Sequence, residues 1–354
     1  MNFDWQLVLP VIALVIVSLF TLFSLNPVFF KSQLVFLVVS FTAFLFFSQA
    51  NYKILSFYAK PIYIISFFLF VLVFFIGFES RGSVRWIDIF GFRIQFSEVL
   101  KPFLAISLAG YLSEKKNFNF KSFLQIILLT LPLAGLIFIQ PDLGDALIYV
   151  GVVVFTILYM GFPFRYFLGI LAPAIISFPV FWSFLHDYQR QRILTYLNPG
   201  SDPLGTSYNA IQSVIAVGSG MFLGKGLGQG TQSGLRFLPE RQTDFIFASI
   251  SEQLGFIGSA ILLVCFIILL YKIYTIFINS NDKFSRTFSA IVFFAFLIQI
   301  FVNVGMNIGI IPIVGVTLPF VSAGGSSLLS NFIFLGFLSS ISKRERSREV
   351  LEIR

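Results

Sequence analysis

Long apolar runs alternate with short charged or Pro- and Gly-rich stretches along the whole chain. A membrane-spanning helix needs roughly 20 apolar residues, and most of the runs reach that length. Because the runs are continuously apolar and do not alternate as barrel strands do, we expect each run to form a helix. Ten spans are predicted, at about residues 6–25, 32–49, 61–78, 96–112, 123–140, 145–161, 167–185, 245–271, 287–311 and 326–342.

Composition supports an all-α polytopic integral membrane protein. Hydrophobic residues make up 57% of the 354 residues, and charged residues 11%, against roughly 25% in soluble domains. This excludes a soluble enzyme. A single cysteine, Cys265, and a single histidine, His186, argue against a disulfide scaffold and a histidine metal site. The net charge of +8 is scattered, so no nucleic-acid partner is expected.

Lysine and arginine in the short loops favour a cytoplasmic N-terminus. With that start both termini are cytoplasmic, and the basic tail 343–354 lies where it can also attract anionic membrane lipids. We therefore predict a single transmembrane domain, 1–354, with one long extracytoplasmic loop, 186–244, between helices 7 and 8. The apolar stretch Ala210 to Phe222 in that loop is too short to span and suggests a re-entrant or interfacial helix.

Several basic residues fall in outer loops and so oppose the topology rule. They indicate an anionic ligand on the outer face, or pairing with lipid headgroups or local acids. These residues are Arg81, Arg85, Arg93, Arg190, Arg192, Lys225, Arg236 and Arg241.

Acidic groups at the outer ends of spans are further candidates. Glu98 and Lys101 share a helical face, either as a structural ion pair or as part of a site. Asp142 can cap span 6 or bind a ligand. Asp244 falls at or near the first turn of span 8, where it is either stabilised by the helix dipole or presented to a basic loop. Glu252, deeper in that helix, is a second carboxylate or a buried structural acid.

The run Leu318 to Ser327 opens span 10 with glycine and serine. Such a run can present backbone N–H groups to an anion, although it can also serve helix packing. If the ligand is a lipid-linked sugar pyrophosphate, the leaving group needs cations and the attacking hydroxyl needs one general base. A single carboxylate in a basic cleft meets that requirement for an inverting transfer.

At these residues the chain closely resembles the SEDS family, the RodA/FtsW proteins that polymerise peptidoglycan glycan strands. The stretch from His186 to Ile193, and Arg241 before Gln242, resemble the elongation branch, RodA, more than the division branch. The matching motifs cover nearly the whole chain: Gly82 to Trp86, Ser97 to Lys101, Gln140 to Gly144, His186 to Ile193, Asn198-Pro199, Asp202 to Gly205, Gly224 to Gly226, Gly230 to Gln232, Leu238 to Phe245, Pro319 to Ser322 and Gly324 to Ser327.

The resemblance implies ten transmembrane helices in the bacterial inner membrane and an enzyme that joins lipid II into β-1,4 glycan, releasing undecaprenyl pyrophosphate, for cell elongation and rod shape. It implies a class B penicillin-binding protein as partner, contact with the elongation machinery, and a divalent cation, Mg or Mn, held by Asp244 or Glu98.

Asp244 matches the family's essential aspartate and is the expected catalytic base. Arg85, Lys101 and Lys225 are the expected pyrophosphate ligands, Glu98 would orient Lys101 or the metal, and Trp86 is a sugar contact or a membrane-interface anchor. The remaining expected substrate-binding residues are Asp142, Glu240, Thr243, Ser322, Gly324 and Ser326.

This chain departs from the family pattern at four positions. Phe96 replaces a proline, Asp145 a common threonine, Gln253 a glutamate and Ala323 a common tyrosine. None of these changes removes Asp244. Three alternatives remain at this point: a lipid II flippase, a membrane scaffold that recruits the wall synthase, and a division-branch polymerase.

Overall fold

The computed structural model describes residues 4–80, 83–89, 91–198, 200, 205 and 207–352. The motif residues Gly82, Pro199 and Asp202 to Leu204, together with Arg81, lie outside these ranges.

Helices dominate the described part of the chain, and three short strands follow the fourth helix. The helices are α1 (Trp5–Leu25), α2 (Pro27–Gln49), α3 (Tyr52–Phe57), α4 (Ala59–Ile76), α5 (Phe96–Val99), α6 (Lys101–Ser113), α7 (Phe120–Ile139), α8 (Leu143–Tyr159), α9 (Phe164–Phe184), α10 (Asp187–Leu197), α11 (Tyr208–Ser219), α12 (Thr231–Gly234), α13 (Ile246–Asn279), α14 (Lys283–Asn307) and α15 (Gly325–Glu352). The strands are β1 (Phe78–Ser80), β2 (Ser83–Ile89) and β3 (Phe92–Gln95).

The ten predicted spans correspond to ten helical segments, which confirms the polytopic helical fold. They are α1, α2, α4, α5 with α6, α7, α8, α9, α13, α14 and α15. Among the described residues, seven of these helices are long and apolar enough to cross a membrane by length and composition. Large apolar side chains are exposed along the outside of the bundle, which is expected where lipid replaces water as the solvent.

The first helical hairpin closes against the last helix of the chain. α2 packs along α15, and Gly336 allows the close approach, because a Cβ there would lie 2.8 Å from the Cβ of Phe47. The Ser18 hydroxyl of α1 donates to the carbonyl of Val321, just before α15, at 2.6 Å. The main core lies between α1, α13, α14 and α15 and is rich in phenylalanine.

α13 is broken at Gly255, whose φ of +68° and ψ of −162° are not helical. A segment of the long loop supplies the hydrogen bonds that the break would leave unmade. Backbone N–H groups of Lys225 and Gly226 donate to the carbonyls of Glu252 and Gln253 at 2.9 and 3.0 Å. In return, the N–H groups after the break donate to loop carbonyls, Phe256 to Met221 and Ile257 to Phe222.

The loop after α4 contains three strands, which the apolar runs did not predict. There β1, β2 and β3 form an antiparallel sheet in sequence order, with Trp86 opposite Gln95 and Asp88 opposite Arg93. Gly91 turns the chain with a φ of +82°, and its N–H donates to the Asp88 carboxylate at 2.7 Å. Because the sheet lies outside the spanning helices, the rule against open edges in lipid does not apply to it.

The long connection from α9 to α13 is largely structured. It contains α10, α11 and α12, and the apolar stretch from Ala210 forms most of α11. α11 packs on α13 and α14 and buries Ser213 and Ala216 there.

Candidate active site

A polar cleft of about 410 Å³ lies at the end of the bundle where α8, α13 and α15 begin. The sheet, the turn before α13 and the segment before α15 form its other walls. Its lining residues are Arg85, Trp86, Gln95, Glu98, Pro141, Asp142, Leu143, Asp145, Arg192, Glu240, Thr243, Asp244, Val314, Gly315, Thr317, Ala323, Gly324, Gly325, Ser326 and Ser327. Most of the predicted site residues therefore come together in one cleft.

Asp244 stands in the turn that leads into α13. Glu240 has a φ of +47°, which is uncommon for a residue other than glycine, and its carbonyl accepts from the N–H groups of Thr243 and Phe245 at 3.1 and 3.2 Å. α13 begins at Ile246 and has no side-chain cap. The Asp244 carboxylate is thus not used for capping and faces the cleft.

Two asparagines of α14 hold the backbone of Asp244 from below. The side-chain amides of Asn303 and Asn307 each donate to the Asp244 carbonyl at 3.0 Å. Asn303 also donates to the carbonyl of Val316 at 2.7 Å, and Asn307 accepts from the N–H of Ala248 at 3.0 Å. Both are fully buried. Neither asparagine is among the predicted site residues; the signal in the sequence is a row of amide side chains four residues apart, Gln299, Asn303 and Asn307, in a predicted span.

Burial raises the pKa of Asp244 to about 6, and the nearby Glu240 carboxylate adds to that rise, whereas Arg192 and Arg85 oppose it. A carboxylate with such a pKa is ionised at neutral pH and is still basic enough to accept a proton. This is the electrostatic setting expected of a general base.

Gly315 lies beside the Asp244 carboxylate, where it has no side chain to occupy the space. A Cβ at Gly315 would lie 3.3 Å from Oδ2 of Asp244 and 3.9 Å from Nη1 of Arg192, so both side chains flank this glycine. Its φ of +73° also favours glycine.

Asp142 is the side-chain cap of α8, because its carboxylate accepts from the N–H of Asp145 at 3.1 Å. It also accepts from Arg85 at 3.0 Å and from the amide of Gln95 at 2.8 Å. Burial raises the pKa of Asp142 to about 6, with a further rise from Asp145 and an opposing effect of Arg85. Asp142 therefore anchors the sheet and its arginine to the start of α8.

Lys101 forms the expected pair with Glu98, and the structure adds a third member, Asp145. The lysine Nζ lies 2.9 Å from Glu98 Oε1 and 2.9 Å from Asp145 Oδ1, and the Ser97 hydroxyl donates to Asp145 at 2.9 Å. Glu98 and Asp145 line the cleft, whereas Lys101 lies beneath them. Asp145 was missed because its position was treated only as a departure from the family pattern.

Lys225, expected to bind pyrophosphate, is not brought to the cleft. Its Nζ contacts the hydroxyl of Thr231 at 2.8 Å and Oε1 of Glu252 at 3.4 Å. The fully buried Glu252 also accepts from the N–H groups of Gln232 and Ser233 at 2.8 Å and from the Ser233 hydroxyl at 2.6 Å. Glu252 is therefore a structural acid that fastens the long loop to α13.

The segment before α15 is bonded to the rest of the cleft at several points. The Ser326 hydroxyl accepts from the N–H of Gln95 at 2.9 Å. The Ser322 hydroxyl donates to the carbonyl of Thr243 and accepts from the N–H of Leu318, so it joins the two turns without lining the cleft. Gly324 N–H donates to the Gln33 amide oxygen at 3.3 Å. Trp86 lines the cleft and an adjoining groove toward α2.

The charge of the cleft differs from the expected basic site. Among the described residues, five carboxylates and two guanidinium groups line it, and Lys101 offsets part of that charge from below. A diphosphate would need further positive charge here, which a divalent cation supplies. Among the described residues no three His, Cys, Asp or Glu side chains form a metal-binding group, but Mg²⁺ needs only one or two carboxylates when phosphates and water complete its shell.

The expected cation stays a prediction. Of the two carboxylates expected to hold it, Glu98 is bonded to Lys101. Asp244 faces the cleft, but a carboxylate that binds a divalent cation is a poorer proton acceptor, so the two expected roles of Asp244 compete.

The sequence is similar to several named proteins. It is 39% identical over 292 residues to the peptidoglycan glycosyltransferase MrdB of Escherichia coli K12, covering 80% of this chain and 77% of MrdB. It is 35% identical over 370 residues to stage V sporulation protein E of Bacillus subtilis, covering 97% and 98%. It is 36% identical over 321 residues to the probable peptidoglycan glycosyltransferase FtsW of Geobacter metallireducens, covering 89% and 85%.

Solved structures are similar over almost the whole chain. A chain from a peptidoglycan synthase complex that coordinates polymerization and crosslinking superimposes with a TM-score of 0.84 at 30% identity, covering 98% of this chain and 99% of that one. The rod shape determining protein RodA of Thermus thermophilus gives 0.74 at 26% identity, covering 98% of each. Residues 3–347 match the FtsW/RodA/SpoVE family of cell cycle proteins, and the chain belongs to that family.

Proposed function

We infer that this integral membrane protein is a peptidoglycan glycosyltransferase that polymerises lipid II for cell elongation. The observation that carries the proposal is the Asp244 carboxylate, which is not used for capping, is held by two asparagines through its backbone, and faces a cleft with Arg85 and Arg192. The relatives named peptidoglycan glycosyltransferase support the reaction type, and the similarity to the rod shape determining protein RodA supports the elongation branch.

The proposed reaction needs one proton acceptor. Asp244 takes the proton from the 4-hydroxyl of the terminal sugar of one lipid II molecule. The freed oxygen forms a bond to the anomeric carbon of the growing strand, and the bond from that carbon to the pyrophosphate oxygen breaks with inversion. The electron pair leaves with undecaprenyl pyrophosphate, so no general acid is required.

The guanidinium groups of the cleft stabilise the leaving pyrophosphate. Arg85, fixed by Asp142 at 3.0 Å, and Arg192 are the cationic side chains on its wall. A divalent cation held by the substrate phosphates and a cleft carboxylate other than the base would supply additional positive charge there. Lys101 and Glu98 act as a buried pair that keeps Asp145 and the floor of the cleft in place.

The location of the reaction is proposed from the charges of the loops and from the similar structures. We place the protein in the bacterial inner membrane, with both termini in the cytoplasm and the cleft on the outer face, as the loop charges favour. A class B penicillin-binding protein is the proposed partner, in line with the similarity to a chain of a peptidoglycan synthase complex.

Polymerisation by the purified protein tests the proposal. The wild type and Asp244→Asn would be reconstituted with lipid II and Mg²⁺ or Mn²⁺, with and without the cognate transpeptidase. Glycan ladders from the wild type that are absent from the equally folded variant are expected. No ladder under any condition would contradict the proposal, and lipid II translocation in vesicles would then test the flippase alternative.

A further inference from the structure

A second, apolar pocket adjoins the cleft on the side of the long loop. It encloses about 290 Å³ between α10, α11 and the segment that follows α14. That volume lies near the lower end of the range for small-molecule pockets, about 300 to 1,000 Å³. Its lining residues are Arg192, Thr195, Tyr196, Ala210, Ile211, Val214, Ile215, Met306, Gly309, Ile311, Pro312 and Ile313.

Arg192 is common to this pocket and to the catalytic cleft. Every other described residue on the pocket wall is uncharged, so this described wall has one cationic end and apolar sides. Gly315 places that end beside the reaction centre, because its missing Cβ would lie near both Arg192 Nη1 and Asp244 Oδ2.

Hydrogen bonds between the surrounding elements hold the walls of the pocket in place. The Tyr196 hydroxyl donates to the carbonyl of Ile310 at 2.7 Å and so ties α10 to the segment after α14. The Ser213 hydroxyl donates to the carbonyl of Asn307 at 2.9 Å and ties α11 to the end of α14. Val214 and Ile215 are partly exposed, so the apolar side of the pocket opens at the surface of the bundle.

We propose that this pocket binds the first isoprene units of the polyprenyl pyrophosphate, with Arg192 contacting the pyrophosphate at the boundary between the pocket and the cleft. The inference rests on the proposed function and adds to it a site for the lipid chain. The occupant follows from charge complementarity: a ligand with an anionic diphosphate joined directly to a linear chain of apolar isoprene units matches one cation followed by apolar walls.

A polyprenyl chain also fits the size of the pocket. The cavity holds only a short piece of a long chain, and its open side lets the remainder continue into the surrounding lipid. Because lipid tails outside are equally apolar, the pocket would contribute orientation of the pyrophosphate more than affinity.

Photocrosslinking tests the occupant without turnover. A photoreactive amino acid would replace Val214 in the full-length protein, and Leu223, which is exposed on the same loop and does not line the pocket, would be the matched control. The probes are undecaprenyl pyrophosphate, undecaprenol and phosphatidylglycerol in vesicles. We expect undecaprenyl pyrophosphate to label the protein several-fold more strongly at Val214 than at Leu223. At Val214 it should also label more strongly than undecaprenol, and Arg192→Gln should remove this difference between the two probes.

Kinetics with a filled pocket give a second readout. Val214→Trp should raise the apparent KM for lipid II by roughly three- to tenfold, the modest size reflecting the apolar surroundings. The same variant should have no effect with a lipid II analogue whose chain is too short to reach beyond the pyrophosphate. Leu223→Trp should behave as wild type with both substrates.

Equal labelling at the two positions, equal labelling by phosphatidylglycerol, or an unchanged preference in Arg192→Gln would each overturn the inference. Failure of the proposed function would look different. In that case the wild type would not polymerise lipid II, whatever the labelling at Val214.

Discussion

The side-chain amide of Asn307 donates a hydrogen bond to the backbone carbonyl of Asp244 at 3.0 Å. Asn303 does the same from one helical turn away. The reacting carboxylate is therefore positioned by α14 through its main chain, and its own side-chain oxygens stay available to the cleft.

Loss of the Asn307 amide should reduce turnover more than substrate binding. Asn307→Ala removes a donor to Asp244 and an acceptor for Ala248. A displacement of the base by about 1 Å costs on the order of a hundredfold in rate, so kcat should fall by one to two orders of magnitude with little change in KM. Asn331→Ala, a buried asparagine whose side-chain nitrogen has no hydrogen-bond partner, is the matched control. Equal kcat values in the two variants would contradict the positioning role.

Gly315→Ala should displace the carboxylate directly. The new Cβ would lie 3.3 Å from Asp244 Oδ2, and the backbone φ of +73° is unfavourable for alanine. We expect at least a tenfold loss of polymerisation, on the scale that misplacement of a reacting group produces. Gly161→Ala separates backbone strain from contact with the carboxylate. Gly161 also has a positive φ, +91°, but no atom lies within 4 Å of the added Cβ. A similar loss in both variants would mean that backbone strain alone is responsible.

Lys101→Met should destabilise the fold, because it leaves Glu98 and Asp145 buried without their shared cation. Removing one partner of a buried ion pair costs roughly 3–5 kcal/mol. The double variant Lys101→Met, Glu98→Gln should recover part of this loss, since one uncompensated charge is removed as well. Thermal unfolding in detergent measures both effects, and a wild-type melting temperature for Lys101→Met would count against the buried triad.

Polymerisation should fall on the acidic side of neutrality. Burial raises the pKa of Asp244 to about 6, and the base works only when ionised. Activity should therefore be nearly full at pH 7.5 and decline about tenfold per pH unit below the pKa. The measurement is initial rate against pH at a fixed concentration of divalent cation.

Asp142 also has a pKa raised to about 6, so its contribution must be separated. Asp142→Asn keeps one oxygen to accept from the N–H of Asp145 and replaces the oxygen that accepts from Arg85 with an NH2 group. The pH profile of this variant should retain the decline on the acidic side if Asp244 is responsible. Loss of that decline in Asp142→Asn would assign it to the capping residue instead.

Glu252→Gln should loosen the long loop from α13. The amide cannot accept all the hydrogen bonds from Gln232, Ser233 and Lys225 that the carboxylate accepts. Hydrogen bonds to a charged group are worth roughly 1.5–3 kcal/mol each, so cleavage between residues 220 and 234 should become faster in limited proteolysis. Ser219→Ala, which removes a contact of 3.5 Å to Glu252 and a hydrogen bond to the Ala216 carbonyl within α11, should leave the cleavage rate unchanged.

Hydropathy was enough to find the ten helical segments, because the apolar runs and the spanning helices arise from the same cost of placing polar groups in lipid. It did not find the sheet around Trp86. The strands there are only three to seven residues long. Alternation of polar and apolar residues over so few positions is a much weaker signal than an apolar run of about twenty residues.

The site was predictable where its chemistry is local and not where it depends on distant folding. Glu98 and Lys101 pair because they are three residues apart, and Asp142 caps α8 because it stands at its start. Lys225 and Arg192 share one loop and one sign of charge, yet only Arg192 reaches the cleft. What separates them is the break at Gly255, which fastens the loop near Lys225 to α13, and that pairing left no periodic pattern in the sequence.

The packing of α2 along α15 bears on how the protein is made. The cleft takes part of its wall from Gly324, Gly325, Ser326 and Ser327, which a ribosome produces after the other described residues of that wall. Until α15 is inserted, the side of α2 that packs on α15 must therefore face lipid. A chain stalled or truncated before residue 325 has no complete reaction centre, so a partly synthesised enzyme cannot consume precursor before the whole bundle has assembled.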